Sequence, residues 1–181
     1  MSFPFLGCMK TEDLSRSDEV LLRSVLQWYN NNSSRVENFL QIVERNNGLS
    51  LRVIDWLVTN YSKTTSVTIE NDGIPRDLYR DYQKYLSAYN KRNMDPFARR
   101  KKISIIVFGK KSRRSTVGQL NFFRWFLKNN LVDYLRVNRK VVEGHMKDAE
   151  QRSKGGKRKS IRKIDAQKSV NCYTGKFVMK F

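Results

Sequence analysis

The chain has 181 residues, 36 Lys or Arg against 17 Asp or Glu, and a formal net charge of +19. A chain of that length buries about 70% of the surface it exposes when unfolded, so it makes one large domain, or one with a small appendage. An apolar fraction of 39% with 12% aromatic residues excludes a disordered polyelectrolyte. Two cysteines, Cys8 and Cys172, exclude a disulfide scaffold and have no metal-ligand spacing.

No apolar run approaches the roughly 20 residues needed to span a bilayer. The N-terminal MSFPFLG is too short and too little basic for a signal peptide. These features predict a soluble protein of a reducing compartment, or one packaged in something assembled there. The charge is unevenly placed. Residues 1–72 carry 7 basic and 9 acidic side chains, net −2, and residues 73–181 carry 29 and 8, net +21. That asymmetry predicts a near-neutral scaffold followed by a binding region whose commonest partner is nucleic acid. An anionic membrane or an acidic protein surface is the competing partner.

In chain order, residues 1–16 read as an extended or irregular arm, since Pro4 and Gly7 oppose helix. Ser17 is the expected cap of a first helix, with Asp18 and Glu19 at the positive end of its dipole. Ser34 and Glu37 match a capping box for a second helix, which Asn46-Asn47-Gly48 ends. A third helix starts near Ser50 and carries Leu51, Val53, Ile54, Leu57, Val58 and Tyr61 at helical spacing. Ser66–Glu70 alternates like a strand, and Asn71-Asp72-Gly73 is a turn. Pro75 fits a first helical position, before an amphipathic helix through about Lys91 that Asp95-Pro96-Phe97 breaks.

The stretch from Arg99 to Asn130 organises the rest. Arg99, Arg100, Lys101 and Lys102 precede an apolar strand, Ile103–Phe108, and a loop carrying Lys110, Lys111, Arg113 and Arg114 follows it. No carboxylate falls among these eight cations, a density kept for a polyanion or an acidic surface. Thr116, with Gln119 at the box position, caps the next helix, whose Phe122, Phe123, Trp125 and Phe126 circle most of its surface and predict burial on several sides. Arg113 and Arg114 stand just before that helix, and Gly118 in its first turn would let an anion approach the free amides. The pattern is consistent with an anion site there, or with Thr116 and Gln119 merely closing the capping box while the arginines point to water.

Asn130 caps a further helix to about Gln151. Residues 152–163 (RSKGGKRKSIRK), with Lys157, Arg158, Lys159, Arg162 and Lys163, read as a basic flexible tract that wraps nucleic acid or lodges between capsid subunits. Phe177–Phe181 alternates like a closing strand. The fold expected is α+β and mostly helical, about six helices with a small two- to three-stranded antiparallel sheet. The expected divisions are an arm (1–16), an α+β domain (17–151; helical scaffold 17–62, basic binding part 63–151), a basic tract (152–168) and a C-terminal strand (169–181).

Tyr79, Tyr82, Tyr85 and Tyr89 could form a base-stacking platform, but their helical spacing favours packing. Each tryptophan has Asn four residues on (Trp28 and Asn32, Trp56 and Asn60, Trp125 and Asn129), which reads as core anchors near helix ends. The single His145 lacks His or Cys partners at metal spacing. Gly109-Lys110-Lys111-Ser112 lacks the first glycine of a phosphate loop. Neither catalytic residues nor a metal or other cofactor are expected.

Three blocks of the chain, Leu51-Arg52-Val53-Ile54-Asp55-Trp56-Leu57-Val58-Thr59-Asn60-Tyr61-Ser62-Lys63, Asp95-Pro96-Phe97 with Arg99-Arg100, and Thr116-Val117-Gly118-Gln119-Leu120-Asn121-Phe122-Phe123-Arg124-Trp125, resemble an uncharacterised family of nucleocytoplasmic large DNA viruses. The resemblance implies a giant-virus gene product found in virions and in the viral factory of the host cytoplasm. It brings no activity or site residues with it. The expected function is therefore a non-enzymatic structural protein that binds DNA or other nucleic acid in the virion core, or alternatively a minor capsid protein that cements capsid subunits.

Overall fold

The computed structural model describes residues 6–8, 14–46, 48–71, 73–107 and 110–165, with the backbone alone described for 6–8, 71, 107, 110, 111 and 154–165. The strand expected over Phe177–Phe181 lies outside the described residues.

Leu6–Cys8 of the expected arm is a strand, β1. Helix α1 (Arg16–Asn30) is capped by Ser15, whose side chain accepts from the Asp18 N–H at 3.2 Å, two residues before the expected Ser17. The earlier cap leaves the Asp18 carboxylate to hold Arg92 and Asn93 across the fold. Helix α2 (Ser33–Val43) likewise starts early. Asn32 accepts from the Ser34 N–H at 2.9 Å and takes the role expected of Ser34. Helix α3 (Leu51–Trp56) starts where expected, and Ser50 caps it. The helix then widens into a π turn (Leu57–Tyr61) and ends in α4 (Ser62–Thr64), keeping Leu57, Val58 and Tyr61 in the core.

Pro75 departs further from expectation. It sits inside strand β3 (Ile74–Asp77), paired with Glu70 of β2 (Thr68–Asn71) in an antiparallel hairpin whose turn places Gly73 at φ +75°. A two-stranded ribbon leaves one side of each strand unpaired, so a residue without N–H is accommodated there. Asp77 caps α5 (Leu78–Tyr89) in place of the proline, accepting from the Arg80 N–H at 2.9 Å.

After a 3₁₀ turn (Lys91–Asn93) come β4 (Ile103–Val107), β5 (Lys110–Ser115), α6 (Val117–Lys128) and α7 (Leu131–Asp165). The segment expected to be a basic loop is therefore itself a strand. The order β1-β4-β5 is antiparallel throughout, and β4 is central. The β2–β3 hairpin forms a separate sheet, so the α+β, mostly helical architecture carries two small sheets.

Helix α6 is the centre of the core. Leu120, Phe122, Phe123, Trp125 and Phe126 are at most 1% exposed. Their rings meet Phe39 of α2 and Tyr82 and Tyr85 of α5 at 5.2 to 5.9 Å between centroids. The chain divides into two units, residues 1–143 and 144–181. α7 continues beyond the expected end near Gln151, because its Lys and Arg are strong helix formers and outweigh two glycines. Among the described residues, no helix is long and apolar enough to cross a membrane.

Candidate functional site

The two basic clusters flank β4, but their side chains do different things. Strand alternation sends Ile103 and Ile105 to the core, and their partners on β5, Ser115 and Arg113, share that face. Arg113 uses it to tie β5 to α2. Its Nη2 donates to the Val43 carbonyl at 2.9 Å, and its Nη1 pairs with Glu44 at 3.2 Å. Arg114 pairs with Ser104 on the opposite face and is exposed. Period-two geometry therefore splits a dipeptide that reads as one patch.

The first cluster divides in the same way. Arg99 grips Asp95 with two hydrogen bonds, at 3.0 and 3.2 Å, and lies 4.9 Å from the centre of the Phe97 ring. Lys102 donates to the Ala98 carbonyl, and Lys101 also has a partner. Arg100 is exposed, with no hydrogen bond or ion pair among the described residues. Burial would raise the Asp95 carboxyl, but hydrogen bonds from Arg99 and the Phe97 N–H and the Arg99 charge outweigh it and hold it below its ordinary value. Asp55 is raised instead, by burial first and by the Asp95 charge, with Arg99 and Lys91 opposing. Burial, then the Asp55 and Asp95 charges, push the Tyr82 phenol up to about 12.

At the start of α6, the face of Gly118 that an anion was expected to approach is occupied by protein. Thr116 caps the helix, accepting from the Gln119 N–H at 3.0 Å. A Cβ added at Gly118 would lie 2.4 Å from the Arg92 carbonyl oxygen. The glycine thus serves a close backbone approach, and no anion can take that place. The capping box does not close either. The Gln119 side chain accepts from Ser115 Oγ and donates to the Pro96 carbonyl, both at 2.8 Å.

A cleft that the sequence did not announce lies on the first unit, around Trp28. One lobe, of about 530 Å³, is lined by Trp28, Arg35, Asn38, Lys128, Asn130 and Arg136 among others. A second, of about 260 Å³, is lined by Trp28, Tyr85, Tyr89, Arg124, Trp125 and Lys128. Trp28 and Lys128 belong to both. The Arg35 guanidinium sits 4.3 Å from the Trp28 ring centre, and its Nη1 donates to the Trp28 carbonyl at 2.7 Å. Arg124 is held by Asn121, Ser24 and the Tyr89 hydroxyl. The readable signal was Arg124 and Lys128 at i,i+4 on an otherwise aromatic helix. What hid the site is that Trp28, Arg35 and Tyr89 come from three different elements.

The tyrosines separate accordingly. Tyr82 is buried against Phe122 and Trp125, whereas Tyr85 and Tyr89 line the cleft. Lys110 and Lys111 lie on β5, and Lys157, Arg158, Lys159, Arg162 and Lys163 lie on the last turns of α7. No group of three or more His, Cys, Asp or Glu able to hold a metal occurs among the described residues.

A model of a family of unknown function (DUF7197) matches residues 9–174. The chain belongs to that family. It is also 34% identical over 134 residues to an uncharacterised protein of Acanthamoeba polyphaga mimivirus, a match covering 69% of this chain and 52% of that protein. The chain thus spans about half the length of the curated relative it matches, and the relationship supports a viral origin. No solved structure matches. In this family member the second and third blocks singled out in the sequence meet. Gln119 binds Pro96, and Asn121 Nδ2 donates to the nearby Asn93 carbonyl at 2.9 Å. Gln119 and Asn121 of the third block thus lock α6 to the 93–99 segment.

Proposed function

We propose that the chain is a non-enzymatic viral structural protein that binds nucleic acid through basic surface, in the core of the virion and in the viral factory where virions are built. The observation that carries this reading is the seven-cation run Arg152–Lys163, which contains no carboxylate and continues α7. Exposed Arg100 and Arg114 on the first unit add to it. Uncompensated charge of this density is costly to keep without a polyanion to neutralise it. Phosphate contacts of this kind position a protein without reading sequence, so binding would be non-specific.

The test is equilibrium binding of the full chain to a random-sequence duplex over a salt series. A variant with Lys157, Arg158, Lys159, Arg162 and Lys163 all changed to Gln is run beside it. Binding that weakens steeply with salt, and strongly in the variant, supports the reading; no binding at low salt overturns it. A minor capsid protein is the second reading, favoured by Val137 and Val141, which are 84% and 58% exposed one helical turn apart on α7. Fractionated virions separate the two: shell with capsid proteins, or core with the genome.

A further inference from the structure

The Trp28 cleft has a chemistry that duplex binding does not need. A duplex presents phosphates and groove edges and keeps its base faces stacked away. The cleft presents aromatic faces and edges (Trp28, Tyr85 and Tyr89) between fixed cations, and base faces are what such rings bind. Arg35 and Arg124 are already immobilised, one on Trp28 and the other by three hydrogen bonds, so little ordering remains to be lost on binding. Lys128 is exposed and borders both lobes. Four cations, Arg35, Arg124, Lys128 and Arg136, face one carboxylate, Asp133, which Arg136 pairs at 3.0 Å. Asn38 and Asn130 supply amides on the wider side, the group type that reads base edges.

We propose that this cleft binds unpaired nucleotides of single-stranded nucleic acid, with bases against Trp28, Tyr85 and Tyr89 and the backbone along Arg35, Lys128 and Arg136. This deepens the proposed function and rests on it: the basic tract supplies general affinity, and the cleft supplies preference for single strands. A volume of about 530 Å³ and one of about 260 Å³, both bordered by Trp28, accommodate one or two nucleotides.

The experiment measures binding of the full chain to a 5′-labelled dT oligomer of about 20 nucleotides, the matching rU oligomer and a duplex of equal length, at one salt concentration. Trp28→Ala and Lys128→Gln are compared with wild type. The second, at an exposed position, keeps the test valid if the first is unstable, and melting temperatures are recorded for both. The expected result is a single-strand affinity lowered about tenfold or more by Trp28→Ala and several-fold by Lys128→Gln, with duplex affinity within about twofold. Wild-type protein crosslinked to an iodouracil-substituted oligomer should yield adducts on peptides containing Trp28, Tyr85 or Tyr89.

Adducts confined to residues 152–165, with Lys128→Gln indistinguishable from wild type on single strands, overturn the cleft while leaving nucleic-acid binding intact. Loss of both polymers in equal measure also overturns it, because that is the signature of charge alone. Failure of every polymer to bind wild type sinks the proposed function itself. Equal response of the dT and rU oligomers identifies base stacking as the source, whereas a clear preference for rU assigns part of the affinity to the 2′-hydroxyl.

Discussion

At the scale of single residues, neighbours with the same chemistry have opposite roles. Arg113 faces inward and holds the end of α2, while Arg114 faces water. Arg113→Gln should therefore cost about 1–3 kcal/mol of stability, since it leaves the Val43 carbonyl and Glu44 without their donor. Arg114→Gln should stay within about 0.5 kcal/mol and instead weaken polyanion binding slightly. Paired thermal melts and affinity measurements check both, and an equal loss of stability in the two would refute the inward–outward assignment. Gly118→Ala should be worse than either, by about 2 kcal/mol or more, because the new methyl meets backbone that cannot rotate away. Trp125→Ala should cost roughly 3–5 kcal/mol, since it empties the core and strips buried Asp81 of the indole N–H that donates to it at 2.8 Å. Trp56, only half-buried, should cost less.

At the scale of elements, the 93–99 segment is held by a mixture of buried amides and one ion pair, and the carboxyls of its Asp95 and of Asp55 on α3 are shifted in opposite directions. The Asp95 carboxyl is lowered on folding, so its contribution is present above the ordinary carboxyl range and is lost as pH falls through the folded value. The Asp55 carboxyl is raised, so folding is favoured below the ordinary range and loses stability as pH rises through the folded value. Melts recorded between about pH 2 and pH 7 should show Asp95→Asn flattening the acid limb. Asp55→Asn should flatten the decline above it. If both variants keep the wild-type profile, these two groups do not govern the segment. Buried Tyr29 also has its pKa raised, by burial first, and its hydroxyl donates to the Leu120 carbonyl at 3.1 Å.

At the scale of the whole molecule, the dominant quantity is the +21 carried by residues 73–181. If six phosphates are neutralised in a complex with duplex DNA, the slope of log affinity against log salt should be on the order of −5. The five-site Gln variant should flatten it in proportion to the phosphates left without a cation, which a titration at four or more salt concentrations resolves. A slope near zero in wild type would direct attention to the exposed Val137 and Val141 and a protein partner.

What the sequence determined by itself is the part governed by local pattern. Helical spacing of apolar residues located α1 to α3, α5 and α6, because one buried stripe recurs every three to four residues whatever packs on it. Thr116 was legible as a cap, since it satisfies an amide within three residues. The net charge and its asymmetry were equally plain. Tertiary structure decided everything that depends on a distant partner. It made Leu6–Cys8 a strand, because β4 had an edge to offer. It put Pro75 in a hairpin, turned a basic loop into β5, and set Gly118 against the Arg92 carbonyl. It divided the central cations whose side chains are described into structural ties and exposed surface, since whether a charge faces water or a carboxylate depends on what the fold brings beside it. The Trp28 cleft belongs to the same class. Its residues come from α1, α2, α5, α6 and α7, and only packing those helices around one aromatic core places them side by side.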